Sequence, residues 1–405
     1  MRRALCCLVL LLLAAGARAA PEPLAAPDRQ GFARDPESGC HVWDRLPQEE
    51  MTPRWSGPCH DGVAEGAGVL EWRREGAAII RFEGRLQAGR RAGRGVLTDA
   101  TGRRFEGSWA EDMAEGEGVL TEPGGVRYEG GFHRDQRSGR GAVTEADGTR
   151  YEGEWEDDLP HGEGIESWAD GTTYVGSFVR GAWQGRGSLT APDGSRYEGE
   201  WQTGVPQGRG VAVTPDGTRY EGDFANGAWT GQGVLTQPDG RRYEGGFRDG
   251  RAEGRGVSTA PDGLRYEGDF QAGLPQGRGV RSWPDGRRYE GEFAQGNPQG
   301  QGVMTEADGR RYEGAFHDGE AHGQGTLRER NGNVLTGEFE MGRFARGTIT
   351  RADGGRFEGV YERGRPNGPG TYTDPAGRRF TGNWVDGCLR TPQGPVAWGR
   401  PPGCR

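Results

Sequence analysis

Residues able to do chemistry are plentiful in this chain, and their spacing decides what each group does. Gly-x-Gly pairs recur throughout, for example Gly185-Arg-Gly187 and Gly208-Arg-Gly210, as in loops that cradle phosphate. Such a loop needs a strand before it and a helix N-terminus after it, and no helical periodicity follows here, so these are turn glycines. Asp-Gly also recurs (Asp193-Gly194, Asp216-Gly217), but without the D-x-D-x-D-G run or second ligand set that calcium requires. The histidines, His41, His60, His133, His161, His317 and His322, form no ladder. His317 and His322 flank one turn with no Cys or third His near, so no metal site is expected. No nucleophile elbow is present, and no Ser or Cys stands with a His and an acid as a triad would need. Glutamates sit regularly beside aromatic residues, which makes them rungs of a ladder and not an acid/base pair. The chain therefore reads as a non-enzyme with no catalytic residues and no cofactor.

A period positions all of these residues. Tyr289 opens the phrase Y-E-G-E-F-A-Q-G-N-P-Q-G-Q-G-V-M-T-E-A-D-G-R-R, which starts again at Tyr312. The same place is held by Phe82, Phe105, Tyr128, Tyr151, Tyr174, Tyr197, Tyr220, Tyr243 and Tyr266 before it, and by Leu335, Phe357 and Phe380 after it. A fixed period between about 20 and 50 residues marks a repeat architecture. The pattern Tyr-x-Gly-x-Phe/Trp, a Gly-spaced turn, Gly-x-Gly and then Asp-Gly resembles the MORN (membrane occupation and recognition nexus) repeat, and it covers most of the chain. The resemblance implies an all-β fold of tandem hairpins and a role as an interaction or spacer module.

Composition agrees with a thin architecture. Among 405 residues there are 78 glycines, only 32% are hydrophobic, and mean hydropathy is −0.85. So little apolar mass cannot fill a thick core. The expected fold is an elongated, solenoid-like antiparallel meander, one sheet thick, of 23-residue β-hairpins. No lysine occurs and the formal charge is −9, which disfavours binding to nucleic acid or broadly to anionic membrane.

Counting the repeat's aromatic as position 1, Arg-Tyr-Glu-Gly-Glu-Phe alternates in the manner of a strand, with the aromatics on one face. Position 8 is usually Gly, and Asp112, Asp135 and Asp158 replace it in three successive units. Asp tolerates positive φ, so a left-handed turn is expected there. Pro at the first place of the Pro-Asp-Gly loop (Pro192, Pro215, Pro238, Pro261, Pro284) suits a three-residue loop with a glycine bulge. That register sets position 13 opposite position 4 of the next unit, pairing Arg209 with Asp223, and puts the frequent Val of position 15 on the charged face. Position 16, commonly Leu, joins the aromatic face. Glu166 and Arg281 break that rule, and each has a Trp two residues on, Trp168 and Trp283, to restore apolar surface.

The ends differ from the array. Residues 1–19 have a basic start, an apolar run and a small-residue end, and are expected to be a cleaved secretory signal peptide. Residues 20–54 form an N-terminal lead and cap, with 20–39 read as disordered and His41–Thr52 as irregular. Residues 55–81 form a degenerate first repeat in which Trp55 takes the Tyr place and Phe82 arrives four residues late. Residues 82–379 are the tandem repeats, and 380–405 a last partial repeat with a C-terminal cap. Cys40 and Cys59 precede the array and Cys388 and Cys404 follow it. The four allow three connectivities, and because the ends of an open rod lie far apart, the local pairs Cys40–Cys59 and Cys388–Cys404 are expected. The mature protein is thus expected to be exported, secreted or periplasmic, and soluble.

Binding is the remaining function class. The ladder of Tyr174, Tyr197, Tyr220, Tyr243, Tyr266, Tyr289 and Tyr312 with Trp155, Trp201, Phe224 and Phe270 is a candidate groove, or simply the core of the ribbon. Trp183 and Trp229 replace Pro, Arg or Ala in the Gly-x-x-x-Gly turn and are candidate exposed contacts. The expected function is an exported scaffold that binds a protein partner or a second copy of itself. Two alternatives are recognition of phospholipid head groups by the Arg stripe Arg219, Arg242, Arg265, Arg288 and Arg311, and binding of cell-wall glycan by the aromatics.

Overall fold

The computed structural model describes residues 31–45, 50–399 and 404; the expected signal segment lies outside them. Every regular element among the described residues is a β-strand. No helix there is long and apolar enough to cross a membrane. The chain divides into two contact units, residues 1–217 with 224–227 and residues 218–223 with 228–405, and within each unit the repeats form an open antiparallel meander. A repeat contributes a seven-residue strand, such as Arg196–Gln202, and a nine-residue strand, such as Val205–Val213.

The register follows the three-residue loop. Between strands Ala182–Thr190 and Arg196–Gln202, Arg186 lies opposite Glu200, Ser188 opposite Glu198 and Leu189 opposite Tyr197. Position 13 therefore meets position 4, and Arg255 with Asp269 and Arg278 with Glu292 repeat the pairing. The loop closes by Gly194 N–H donating to the Ala191 carbonyl and Ala191 N–H to Ser195, with Gly194 at φ +85°. Inside each repeat the register shifts once more, between positions 3 and 5, where glycines such as Gly208 adopt φ +65°. That bulge adds twist to an otherwise flat pair of strands.

The turn joining the two strands of a repeat uses two left-handed residues. Thr203 and Gly204 have φ +51° and +77°, between the paired Gln202 and Val205, a combination that matches the right-handed twist of a hairpin. Asp112, Asp135 and Asp158 take the second place at φ +70°, +70° and +68°. These aspartates also do something the spacing did not reveal. The Asp158 carboxylate accepts the backbone N–H of Arg137, at position 10 of the preceding repeat, at 2.9 Å and its guanidinium Nε at 3.2 Å. Asp112 receives Arg91 in the same way, and Asp135 receives the Ala114 N–H. At Gly181, Gly227, Gly296 and Gly319, where position 8 of the following unit is Gly, position 10 is Pro160, Pro206, Pro275 and Pro298, which have no N–H to satisfy; ahead of Gly204, Gly250, Gly273 and Gly342 it is Trp183, Trp229, Ala252 and Ala321.

This pairing predicts a result for one substitution. Asp158→Gly preserves the turn but leaves the buried Arg137 without its carboxylate. The expected loss is about 2 kcal/mol, below the usual ~3–5 for a broken buried pair, because Arg137 also stacks 4.2 Å over Trp155. Adding Arg137→Pro, the residue that accompanies Gly at Pro160, Pro206, Pro275 and Pro298, should recover most of it. Urea denaturation of the single and double variants measures both.

The ends depart from expectation in one respect. Within the lead, Gly31–Arg34 pairs with His41–Asp44 as an antiparallel hairpin, so this part is neither disordered nor irregular. The buried Asp35 organises it, its backbone carbonyl accepting Gly39 N–H and its carboxylate accepting Glu37 N–H, Ser38 Oγ–H and Trp55 N–H. Arg45 then reaches the carboxylate of Asp135 three turns along, and Arg90 stacks 3.9 Å over Trp43. Trp55 sits over Gly57 and Gly68 as the tyrosines sit over their own glycines, and its indole N–H donates to Pro58 O. The four extra residues lengthen the next hairpin, Gly66–Arg74 with Ala77–Gln87, which turns at Glu75-Gly76. At the C-terminus Leu389 and Trp398 pack on Phe357, Tyr361 and Trp384. Both expected disulfides are formed, Cys40–Cys59 and Cys388–Cys404.

Candidate interaction surfaces

The aromatic face is built by tyrosine lying on glycine. A Cβ at Gly302 would stand 2.4 Å from the Tyr289 hydroxyl and 2.6 Å from its ring, and one at Gly291 would stand 2.5 Å from that hydroxyl. Only glycine at positions 3 and 14 lets the ring lie flat on the backbone. The hydroxyl, carried past the glycines, donates to the carbonyl of position 4: Tyr197 to Glu200 and Tyr220 to Asp223 at 2.9 Å, Tyr289 to Glu292 at 3.0 Å. Each ring then meets the position-5 aromatic of its own repeat and of the next, edge to face. Tyr289 makes these contacts with Phe293 at 5.1 Å and Phe316 at 4.8 Å. Where position 5 is Trp, its indole N–H donates to the position-14 glycine carbonyl of the preceding repeat, as Trp155 does to Gly141 and Trp201 to Gly187, both at 3.1 Å.

The candidate binding ladder therefore sits inside. Tyr174, Tyr197, Tyr220, Tyr243, Tyr266, Tyr289, Tyr312, Trp155, Trp201, Phe224 and Phe270 are all buried. Trp183 and Trp229 lie in strands just beyond the turn and are half-buried. Trp183 stacks on Tyr174 at 4.2 Å with rings 6° from parallel, and Trp229 stacks on Tyr220 at 4.6 Å and 8°. Glu166 at position 16 accepts the Trp183 indole N–H at 3.1 Å, and Trp168 packs edge-on against Trp183. Desolvation raises the phenol pKa of these tyrosines, to about 12 at Tyr243, Tyr266 and Tyr289 and higher from Tyr128 to Tyr220.

The opposite face is open. Each Arg of the stripe is paired with the Glu two residues on, Arg219–Glu221 at 2.7 Å and Arg242–Glu244, Arg265–Glu267, Arg288–Glu290 and Arg311–Glu313 at 2.6 Å. A groove of about 520 Å³ crosses three repeats between these rows, with Val257 and Val280 flanked by Arg255, Arg278, Glu267 and Glu290. From Phe82 on, three repeats lack this Glu, two carrying Thr336 and Thr381 and one an apolar residue. Val175 takes the place of the usual Glu at position 2, opposite Ile165, and both are exposed, as is Val179 beyond them. Sequence reasoning passed over this apolar cluster, although the missing Glu was the available signal. His317 and His322 do meet, ring to ring at 5.7 Å, and no group of three or more metal-ligating side chains occurs among the described residues.

The MORN repeat model matches residues 82–102, 105–127, 128–150, 151–173, 174–196, 197–219, 220–241, 243–265, 266–287, 289–309, 312–334 and 357–377. No curated protein sequence matches the chain. Among solved structures, the TCP10 domain of Danio rerio CPAP in complex with a peptide of Danio rerio STIL is 14% identical, over 71% of this chain and 98% of that one, with a TM-score of 0.19. The virginiamycin B lyase from Staphylococcus aureus is 11% identical over 83% and 100%, with a TM-score of 0.13. At these TM-scores neither likeness bears on function. The matched repeats fill more than half of the chain and carry the aromatic-over-glycine hairpins described above, so the chain belongs to the MORN repeat family.

Proposed function

We propose that the protein is an exported, non-enzymatic scaffold that binds a protein partner, or a second copy of itself, through the outward face of its repeats. The observation that carries this reading is the exposed cross-strand pair Ile165 and Val175, with Val179 exposed further along the same strand, on a face that elsewhere carries Arg–Glu pairs. Apolar side chains exposed directly opposite each other and rimmed by charge mark a contact site. The disulfides closing both ends agree with an oxidising compartment, and the basic-apolar-small pattern of residues 1–19 supplies the export signal. Of the aromatic residues singled out as candidate contacts, Trp183 and Trp229 are half-buried and the rest are buried.

The test uses Val175→Glu, which restores the residue most repeats carry at that place and so leaves the fold intact. Light scattering on the oxidised mature protein should show either a twofold mass that Val175→Glu abolishes, or a monomer. In the second case affinity capture from the native compartment should recover a protein with wild type and not with the variant. A monomer with identical capture by both would overturn the reading. The lipid alternative has less support, because the Glu beside each Arg neutralises the stripe. It predicts salt-sensitive co-sedimentation with anionic vesicles, and we expect none.

A further inference from the structure

Arg281 occupies position 16, where other repeats place Leu189, Leu235, Met304 or Leu327. Its guanidinium lies over the Phe293 ring at 5.1 Å, with Tyr266 and Trp283 at about 6 Å, and one terminal nitrogen donates to Gly296 O at 2.6 Å. Its Nε is buried with no hydrogen-bond partner. The other two buried nitrogens in that condition belong to Arg103 and His161, which are paired with Glu122 and Glu156. No described carboxylate is paired with Arg281. A half-buried cation with an orphaned donor and no carboxylate partner is costly unless something completes it.

Beside it is a hollow of about 250 Å³. It exists because the preceding repeat carries the small Ser258 at position 16, directly opposite Tyr266, in place of a Leu. Leu235, Tyr243, Leu264, Tyr266 and Pro275 make its apolar wall, and Arg281 lines it. Two further arginines reach the lining, Arg241 and Arg242, each already paired, with Asp239 and Glu244. The lining holds no carboxylate at all.

We propose that this hollow is a binding site for a small carboxylic acid with an apolar, ring-sized body, its carboxylate completing Arg281. Planar guanidinium and carboxylate match in geometry and charge. The hollow is smaller than the ~300 Å³ at which drug-sized sites begin, which limits the occupant to about one ring and its acid group. Burial lowers the pKa of the Arg281 guanidinium, and a bound anion opposes that shift.

Titration calorimetry on the full oxidised mature protein, with sodium phenylacetate as the probe and phenylacetamide as its neutral counterpart, tests the site. The expected result is a dissociation constant of about 1 mM or tighter for the acid, and at least tenfold weaker binding of the amide. Arg281→Leu should lose acid binding at least tenfold without a fall in thermal midpoint, since Leu is the residue of neighbouring repeats. Should that variant fail to fold, Ser258→Leu fills the hollow from the other side and should also abolish binding. Equal binding of acid and amide, unchanged binding in the folded variants, or no binding by wild type would overturn the assignment. Tighter binding of phenyl phosphate than of phenylacetate would overturn the carboxylate class.

Discussion

Gly302→Val is expected to cost about 3 kcal/mol or more, because the new Cβ stands where the Tyr289 ring already is and the valine methyls reach further. The ring has no free space to move into, held on both sides by Phe293 and Phe316. Tyr289→Ala, which removes the ring and leaves a cavity, should cost about 3–5 kcal/mol by itself. Tyr289→Ala takes away the ring that Gly302→Val clashes with, so the double variant should be destabilised by less than the sum, with a coupling of ~1–3 kcal/mol. Hydrogen exchange should place the loss in strands Arg288–Ala294 and Asn297–Thr305, with repeats far along the chain keeping their protection. Additive costs, or uniform loss of protection, would show that ring and glycine are not one unit.

Alkaline pH should collapse the whole array. All eleven tyrosines have raised phenol pKa values, with burial the first cause in each. Their hydroxyls are protonated in the fold, and unfolded tyrosine releases its proton near pH 10. Stability is therefore complete below about pH 10 and falls as pH rises through 12, with each buried tyrosine contributing up to about 1.4 kcal/mol per pH unit. Phenolate absorbance should stay low just above pH 10 and then rise in step with loss of β-sheet circular dichroism. Phenolate appearing near pH 10 with the sheet intact would contradict the buried ladder.

The repeat was legible because its constraints are local and recur. Asp in place of Gly announced the left-handed turn, Pro before Asp-Gly announced the loop, and opposite charges at positions 13 and 4 set the register, as Arg186 and Glu200 show. What escaped notice joins residues that no short pattern connects. Asp158 meets Arg137 across two repeats, and Arg45 meets Asp135 from a segment 90 residues earlier. The lead hairpin was hidden because its stability comes from one buried aspartate, Asp35, and a disulfide rather than from alternating apolar residues. The aromatics were correctly placed on one face, but a sequence shows which residues share a face and not whether they fill it. Their mutual edge-to-face packing fills most of that face, and Ser258 opens the hollow beside Arg281 where the filling fails.

The edge-to-face contacts also bear on how such a gene can change. Tyr220 touches Phe247, and Tyr243 touches Phe270, at nearly the same distance and angle. Excising Tyr243 through Arg265 as one block would bring Phe270 to Tyr220 and recreate a contact the protein already makes. Duplicating that block would do the same in reverse. Unequal crossing-over in phase with the repeat is thus structurally silent inside the array. The same event out of phase puts side chains where glycines must be, and the two disulfide-closed ends lie outside the exchange. Selection can then act on the number of repeats as a heritable trait separate from the sequence of any one of them.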